Sequence, residues 1–253
     1  MSKSPSALGR LLEEISWEGN ARRYHEGGRG YENVLTAEVF QALDFLPRAA
    51  FLGRIIRSAR GGSRETLGLL GDQIEEANFS LLPGDISLGD KPARGETWVH
   101  LQPDGIIQTT DVYCLLEVKR IKPGAFQPEQ LAREYLAVLQ EARARNPLLL
   151  LVLPEPPPVA VRSYGRMSVH DAIAHWIEPI AQRTAADVPP IAELIDLIDS
   201  TVAYVTWPQV AECVDSGLRE LDIPNPSVAA AVGRLAQSVR TAIKWHSPSA
   251  GLA

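Results

Sequence analysis

Gln102-Pro103-Asp104-Gly105-Ile106-Ile107 and, after a short polar segment, Cys114-Leu115-Leu116-Glu117-Val118-Lys119 are the two stretches that decide how this chain reads. Both carry strand signals, at Asp104–Ile107 and Val112–Lys119, and Gln108–Asp111 between them reads as a turn. Side chains alternate along a strand, so Glu117 and Lys119 project from one face and Val118 from the other. With Gln108 set opposite Asp111, Ile107 meets Val112 and Asp104 meets Leu115. Asp104 then shares the face of Glu117 and Lys119 as a diagonal neighbour, about 7–8 Å away at the backbone. A one-residue slip would undo this, so the inference depends on the turn.

Outward from this pair, apolar periodicity predicts helices over Tyr31–Phe45, ended by Pro47, and over Ala49–Ala59, closed by Gly61-Gly62. The stretch from Phe79 to Gly95 is rich in Gly, Pro and Asp, with a short strand at Ile86–Leu88, and Trp98–Leu101 reads as another. Phe126–Ala144 predicts a helix with Pro128 near its first turn. Leu148–Leu153 is an apolar run suited to a strand buried on both faces. After the stiff Pro154–Pro158 segment come helices near Val169–Gln182, Ile191–Asp199, Gln209–Leu221 and Ser227–Trp245, interrupted by a strand at Thr201–Trp207. The order predicts an α/β layer fold: a mixed β-sheet flanked by helices, with a mostly helical C-terminal part. The chain divides into three units: an N-terminal helical segment (1–26, with an amphipathic stretch at 6–17), a core (27–183) and a C-terminal subdomain (184–253).

Composition sets limits. The 253 residues are 45% hydrophobic and 22% charged, ordinary for a globular protein with a sizeable core. No apolar run is long enough to span a membrane, and the N-terminus lacks a signal-peptide core. Two cysteines, Cys114 and Cys213, make no disulfide framework, which fits a reducing cytoplasm. A net charge of -6 weighs against a general nucleic-acid coat protein but leaves room for an enzyme with a local basic track.

Two carboxylates and a lysine on one face suit phosphodiester chemistry. Hard oxygen ligands suit Mg²⁺, which takes one or two carboxylates and keeps several waters. The bound ion stabilises developing charge and acidifies a water, and a neighbouring lysine orients that water or stabilises the phosphorus centre. On repulsion between the carboxylates alone, removing Glu117 should leave the fold as stable as before, or more so.

Pro103-Asp104, twelve intervening residues and Glu117-Val118-Lys119 resemble the signature of the PD-(D/E)XK nuclease superfamily. The resemblance covers roughly residues 27–155 and implies a restriction-endonuclease-like fold, with a mixed sheet flanked by helices. It implies Asp104 and Glu117 as metal ligands, the Val118 carbonyl as a further ligand, Lys119 as the catalytic lysine, and Mg²⁺ as cofactor with Mn²⁺ able to substitute. Many members place a glutamate on a helix before the sheet, a position matched by Glu32. Many carry Gln and Tyr on the helix after the lysine. Gln130 and Tyr135 match with one residue of extra spacing, which leaves Gln127 as the alternative to Gln130. The activity implied is a metal-dependent nuclease, with DNA before RNA as substrate. By analogy it acts as a homodimer or in a larger restriction, defence or repair complex.

Each residue also has a plainer reading. Asp104 in Pro-Asp-Gly suits a turn, and Glu117 with Lys119 suits a structural ion pair. Glu32 suits a helix N-terminus. Gln130 suits a helix surface and Tyr135 a core. Arg54, Arg57, Arg60 and Arg64 recur at helical spacing and either track phosphates or form a solvated face. Arg120, Lys122 and Arg133 come after the catalytic strand and stand closer to a substrate. The five histidines show no ligand spacing. The rival function is a non-catalytic nucleic-acid-binding or assembly module on the same fold.

Overall fold

The computed structural model describes residues 30–89, 98–121, 124–184 and 189–247, with Tyr31, Glu32 and Trp245 described by backbone alone. The expected N-terminal helix at 6–17, the unit 1–26 and Lys122 lie outside the described residues, as does the side chain of Glu32.

In chain order the elements are α1 (Gly30–Phe45), α2 (Leu52–Ser58), β1 (Arg60–Gly61), α3 (Arg64–Asp72), β2 (Asn78–Leu81), β3 (Ile86–Leu88), β4 (Val99–Leu101), β5 (Gly105–Gln108) and β6 (Val112–Val118). They continue with α4 (Gln130–Ala142), β7 (Asn146–Leu153), β8 (Val159–Val161), β9 (Gly165–Met167) and α5 (Val169–Thr184). The last are α6 (Ile191–Asp196), α7 (Ile198–Thr201), β10 (Val202–Thr206), α8 (Trp207–Glu220) and α9 (Pro226–His246).

One six-stranded sheet, in the order β1-β10-β7-β6-β5-β2, organises the molecule. β6, β7 and β10 run parallel, and β1, β5 and β2 pair antiparallel at the two sides. Parallel neighbours need long crossovers, which α4 and α5–α7 supply. β6 and β7 are at the centre because helices cover both faces, and every residue of Val112–Val118 is buried. The alternation sorts side chains into two layers. Cys114, Leu116, Val118, Leu150 and Val152 join a core with α1, α2, α3, α8 and α9. Tyr113, Leu115, Leu149, Leu151 and Leu153 join a second core with α4, α5 and α6. Each fully buried Leu or Val contributes about 1.5–3 kcal/mol over its exposed state.

The mixed sheet between helical layers agrees with the expected architecture, and several elements correct the sequence reading. The turn between β5 and β6 is longer than Gln108–Asp111: Gln108 pairs with Tyr113 and Ile107 with Cys114. The Thr109 N–H donates to the Val112 carbonyl at 3.0 Å, so the loop closes around Thr109–Val112. The register therefore differs by two residues from the one expected. A shift of two keeps every side chain on its face. α4 starts at Gln130 because the Phe126 backbone is occupied by extended pairing: its N–H donates to Ala160 O at 2.9 Å and its carbonyl accepts from Arg162 N at 3.0 Å.

The stretch from Phe79 holds a sheet strand, β2, whose short Asn-Phe-Ser-Leu pattern has too few alternations to stand out. α3 and the β8–β9 hairpin are also additions. Toward the C-terminus, β10 lies in the interior of the main sheet, and α8 and α9 join the same core as α1. The arginine series is broken up among α2, β1 and α3. Arg54 pairs with Glu220, and Arg57 with Asp72 at 2.6 Å, so the four form no continuous phosphate track. No helix among the described residues is long and apolar enough to cross a membrane.

Candidate functional site

The site forms where β5 begins and β6 ends. Gly105 pairs with Leu116, so Asp104, one residue earlier, stands across from Glu117. Directly opposed residues have Cβ atoms about 4.5–5.5 Å apart, closer than the diagonal placement expected. Contacts among the described residues hold Asp104 in place. Its carbonyl accepts from Leu82 N at 2.9 Å, its Oδ2 accepts from Val118 N at 2.7 Å, and Gly105 lets β5 pack tightly. A Cβ on Gly105 would meet Leu116 at 3.2 Å and Phe79 at 3.3 Å. Asp104 is buried, with 8% exposure, so the Pro-Asp-Gly segment is not an exposed turn.

Glu117 is buried at 4% exposure on the α4 side of the sheet. Its Oε1 accepts from Lys119 Nζ at 2.6 Å and from Gln130 Nε2 at 2.6 Å. Gln130 Oε1 in turn accepts from Lys119 Nζ at 3.3 Å and from Gln127 N at 3.4 Å. The Lys119 ammonium also lies 4.6 Å above the centre of the Phe126 ring. The Lys119 backbone is clamped on both sides: its N–H donates to Val152 O at 2.8 Å, and Trp207 Nε1 donates to its carbonyl at 2.7 Å. Trp207 is fully buried at the start of α8, where Gln209 Oε1 accepts from Thr206 N at 2.9 Å.

Glu134 is a member of the cluster that the sequence motifs do not mark. It stands four residues after Gln130 on α4, hence on the same helical face, and is buried at 3% exposure. Burial, and then the charge of Glu117, push its carboxyl well above the usual carboxylate range, while Lys119 and Gln130 pull the other way. Its Oε2 is buried without a hydrogen-bond partner. A signal was available: a glutamate within a helix stretch whose neighbours Leu131, Tyr135 and Val138 are all buried must face something polar.

No family model, no curated protein and no solved structure matches this chain.

The other expected site residues divide clearly. Asp104, Glu117, Lys119 and Gln130 come together. Gln127 contributes its backbone N–H while its side chain is exposed. Tyr135 turns away: its Oη donates to Leu194 O at 2.5 Å, and burial raises its phenol strongly. A residue on the next turn from Gln130 at five positions' spacing looks in another direction around the helix, toward α6. Among the described residues, no hydrogen bond or ion pair ties Arg120 or Arg133 to the cluster. Three of the histidines are occupied elsewhere: His100 with Ser87, His170 with Asp199, and His246 with Glu38. Cys114 lies in the opposite core, and burial raises its thiol to about 12.

The donor set suits a hard cation in kind: two neighbouring carboxylates, the Val118 main-chain carbonyl between Glu117 and Lys119, and an amide. Mg²⁺ needs only one or two carboxylates, with water completing its octahedron. Among the described residues, no group of three or more His, Cys, Asp or Glu side chains is placed to hold a metal.

Proposed function

We propose that this chain is a Mg²⁺-dependent nuclease of the PD-(D/E)XK kind, hydrolysing phosphodiester bonds, with DNA as the first substrate to test. The observation that carries the reading is the convergence of Asp104, Glu117 and Lys119 on one face at the paired ends of β5 and β6. A buried acid beside a buried acid is costly unless a cation or proton compensates it.

In this reading Asp104, Glu117 and the Val118 carbonyl would hold Mg²⁺ or Mn²⁺. The ion, when bound, supplies stabilisation of charge on the phosphoryl oxygens and acidifies a water. Lys119 supplies a fixed ammonium. Its flexible stem is restrained by Glu117, Gln130 and the Phe126 ring, so little ordering is needed when an anionic centre forms. Gln130 orients Glu117 and Lys119 together. Trp207 and Val152 fix the backbone from which Lys119 extends.

A non-catalytic binding module is the second reading, and one observation favours it. Glu117 is already satisfied by Lys119 and Gln130, as a structural ion pair would be. Incubation with Mg²⁺ or Mn²⁺ on circular, linear and single-stranded DNA and on RNA separates the two. Metal-dependent cleavage lost in both Glu117→Ala and Lys119→Ala supports the nuclease. Cleavage of no substrate, or unchanged cleavage in either variant, ends that assignment.

A further inference from the structure

The nuclease reading leaves unused a surface that adjoins the candidate site. Val161 pairs with Gly165, so the β8–β9 hairpin has a three-residue tip, Arg162-Ser163-Tyr164. The tip is tightly bent: Tyr164 N donates to Val161 O at 3.0 Å, and Ser163 and Gly165 adopt positive φ of 68° and 79°. Tyr164 is held out at 47% exposure, although its ring centre lies 5.6 Å from that of His175 and 5.5 Å from that of Trp176, both on α5. His175 and Trp176 are themselves 4.9 Å apart. The result is a ring cluster fixed by a short hairpin, with Tyr164 and His175 exposed and Trp176 half-buried.

The hairpin is joined to the site by Phe126. The Phe126 backbone pairs with Ala160 and Arg162, and its ring carries the Lys119 ammonium. Charge narrows the choice of ligand. Arg162 is exposed, and its side chain makes no ion pair or hydrogen bond among the described residues. Arg166, on the next strand, is neutralised by Glu155. Aromatic faces alone would also suit a quaternary ammonium, but the Arg162 charge at the same tip repels one. Asp171 and Glu178 lie one turn to either side of His175 on α5, so attraction for an anion comes from the hairpin side. A flat ring linked to a phosphate meets both demands. In a duplex the base faces are already stacked, whereas a single strand offers them.

We propose that the β8–β9 tip, with His175 and Trp176 behind it, docks single-stranded nucleic acid, one base stacking on Tyr164 and an adjoining phosphate meeting Arg162. The surface thereby delivers a strand past Phe126 to Lys119. Binding of the strand rests on the hairpin alone, whereas its delivery for cleavage rests on the nuclease reading.

The test is an anisotropy titration of a fluorescent oligothymidylate with the full chain in EDTA, so that no cleavage intervenes, repeated over a salt series and against duplex competitor. Tyr164→Ala should weaken binding about 5- to 150-fold, the range for loss of one base–aromatic stack, and Tyr164→Phe should retain it. Arg162→Ala should lower the slope of log affinity against log salt by about 0.7. Unchanged affinity in Tyr164→Ala, or duplex bound as tightly as single strand, would overturn the proposal. Tyr164-dependent binding in a protein that cleaves nothing with Mg²⁺ keeps the surface and removes the nuclease. Cleavage by a wild type whose binding ignores Tyr164 keeps the nuclease and removes the surface.

Discussion

Glu117→Ala is the most informative perturbation of stability, because the contacts of Glu117 reverse the expectation from carboxylate repulsion. Repulsion between Asp104 and Glu117 predicts an unchanged or stabilised fold. The glutamate is instead buried against Lys119 at 2.6 Å and Gln130 at 2.6 Å, with the Lys119 side chain only 13% exposed. Removing one partner of a buried ion pair costs about 3–5 kcal/mol, because the other charge stays buried. Two features lower that cost here. Lys119 keeps Gln130 Oε1 and the Phe126 ring as partners, and Glu134 loses a repulsive neighbour. The expected loss is therefore ~2–4 kcal/mol. For a chain of this size each kcal/mol is worth roughly 2–4 °C, so Tm should fall by about 4–16 °C. Urea unfolding at neutral pH gives the free energy directly, and a double-mutant cycle with Glu134→Gln separates the repulsive share. Coupling between the two sites should exceed about 0.5 kcal/mol. A Glu117→Ala protein as stable as the wild type, or additive with Glu134→Gln, would refute this account of the cluster.

Glu134 predicts a pH dependence. Its carboxyl is raised in the fold, so its contribution to stability is present in full below the ordinary value of 4.5 and is lost as pH rises through the folded value. Glu134→Gln should match the wild type at acid pH and gain on it as pH rises, in urea melts across pH; a constant difference would show that the proton plays no part. Lys119→Ala should abolish cleavage yet keep or strengthen Mn²⁺ affinity by calorimetry, whereas Asp104→Asn should weaken it, and equal metal binding in all three proteins would dismiss the ligand assignment. Tyr135→Phe removes the bond to Leu194 O and should cost about 1–3 kcal/mol while leaving any cleavage rate unchanged. A large rate loss at unchanged stability would return Tyr135 to the site.

The grouping of Asp104, Glu117 and Lys119 was legible in the sequence because side-chain alternation is local and has a period of two. The wrong turn displaced the register by two residues, and parity absorbed the error: the same face was predicted, and only the closeness of Asp104 to Glu117 was misjudged. The mixed sheet between helices was likewise legible from the order of apolar runs, and Leu148–Leu153 read as doubly buried from its continuous apolarity. What periodicity could not decide was which partner each surface would meet. β2 and β10 enter the sheet through pairings with strands far away in sequence. The turning of α4 about its axis sends Gln130 and Glu134 to Glu117 while sending Tyr135 to Leu194, a choice made by packing between α4, β6 and α6. Trp207 reaches the Lys119 carbonyl from 88 residues away. Such contacts depend on where separately formed elements dock, and the local sequence carries no record of that until burial of both sheet faces forces one arrangement.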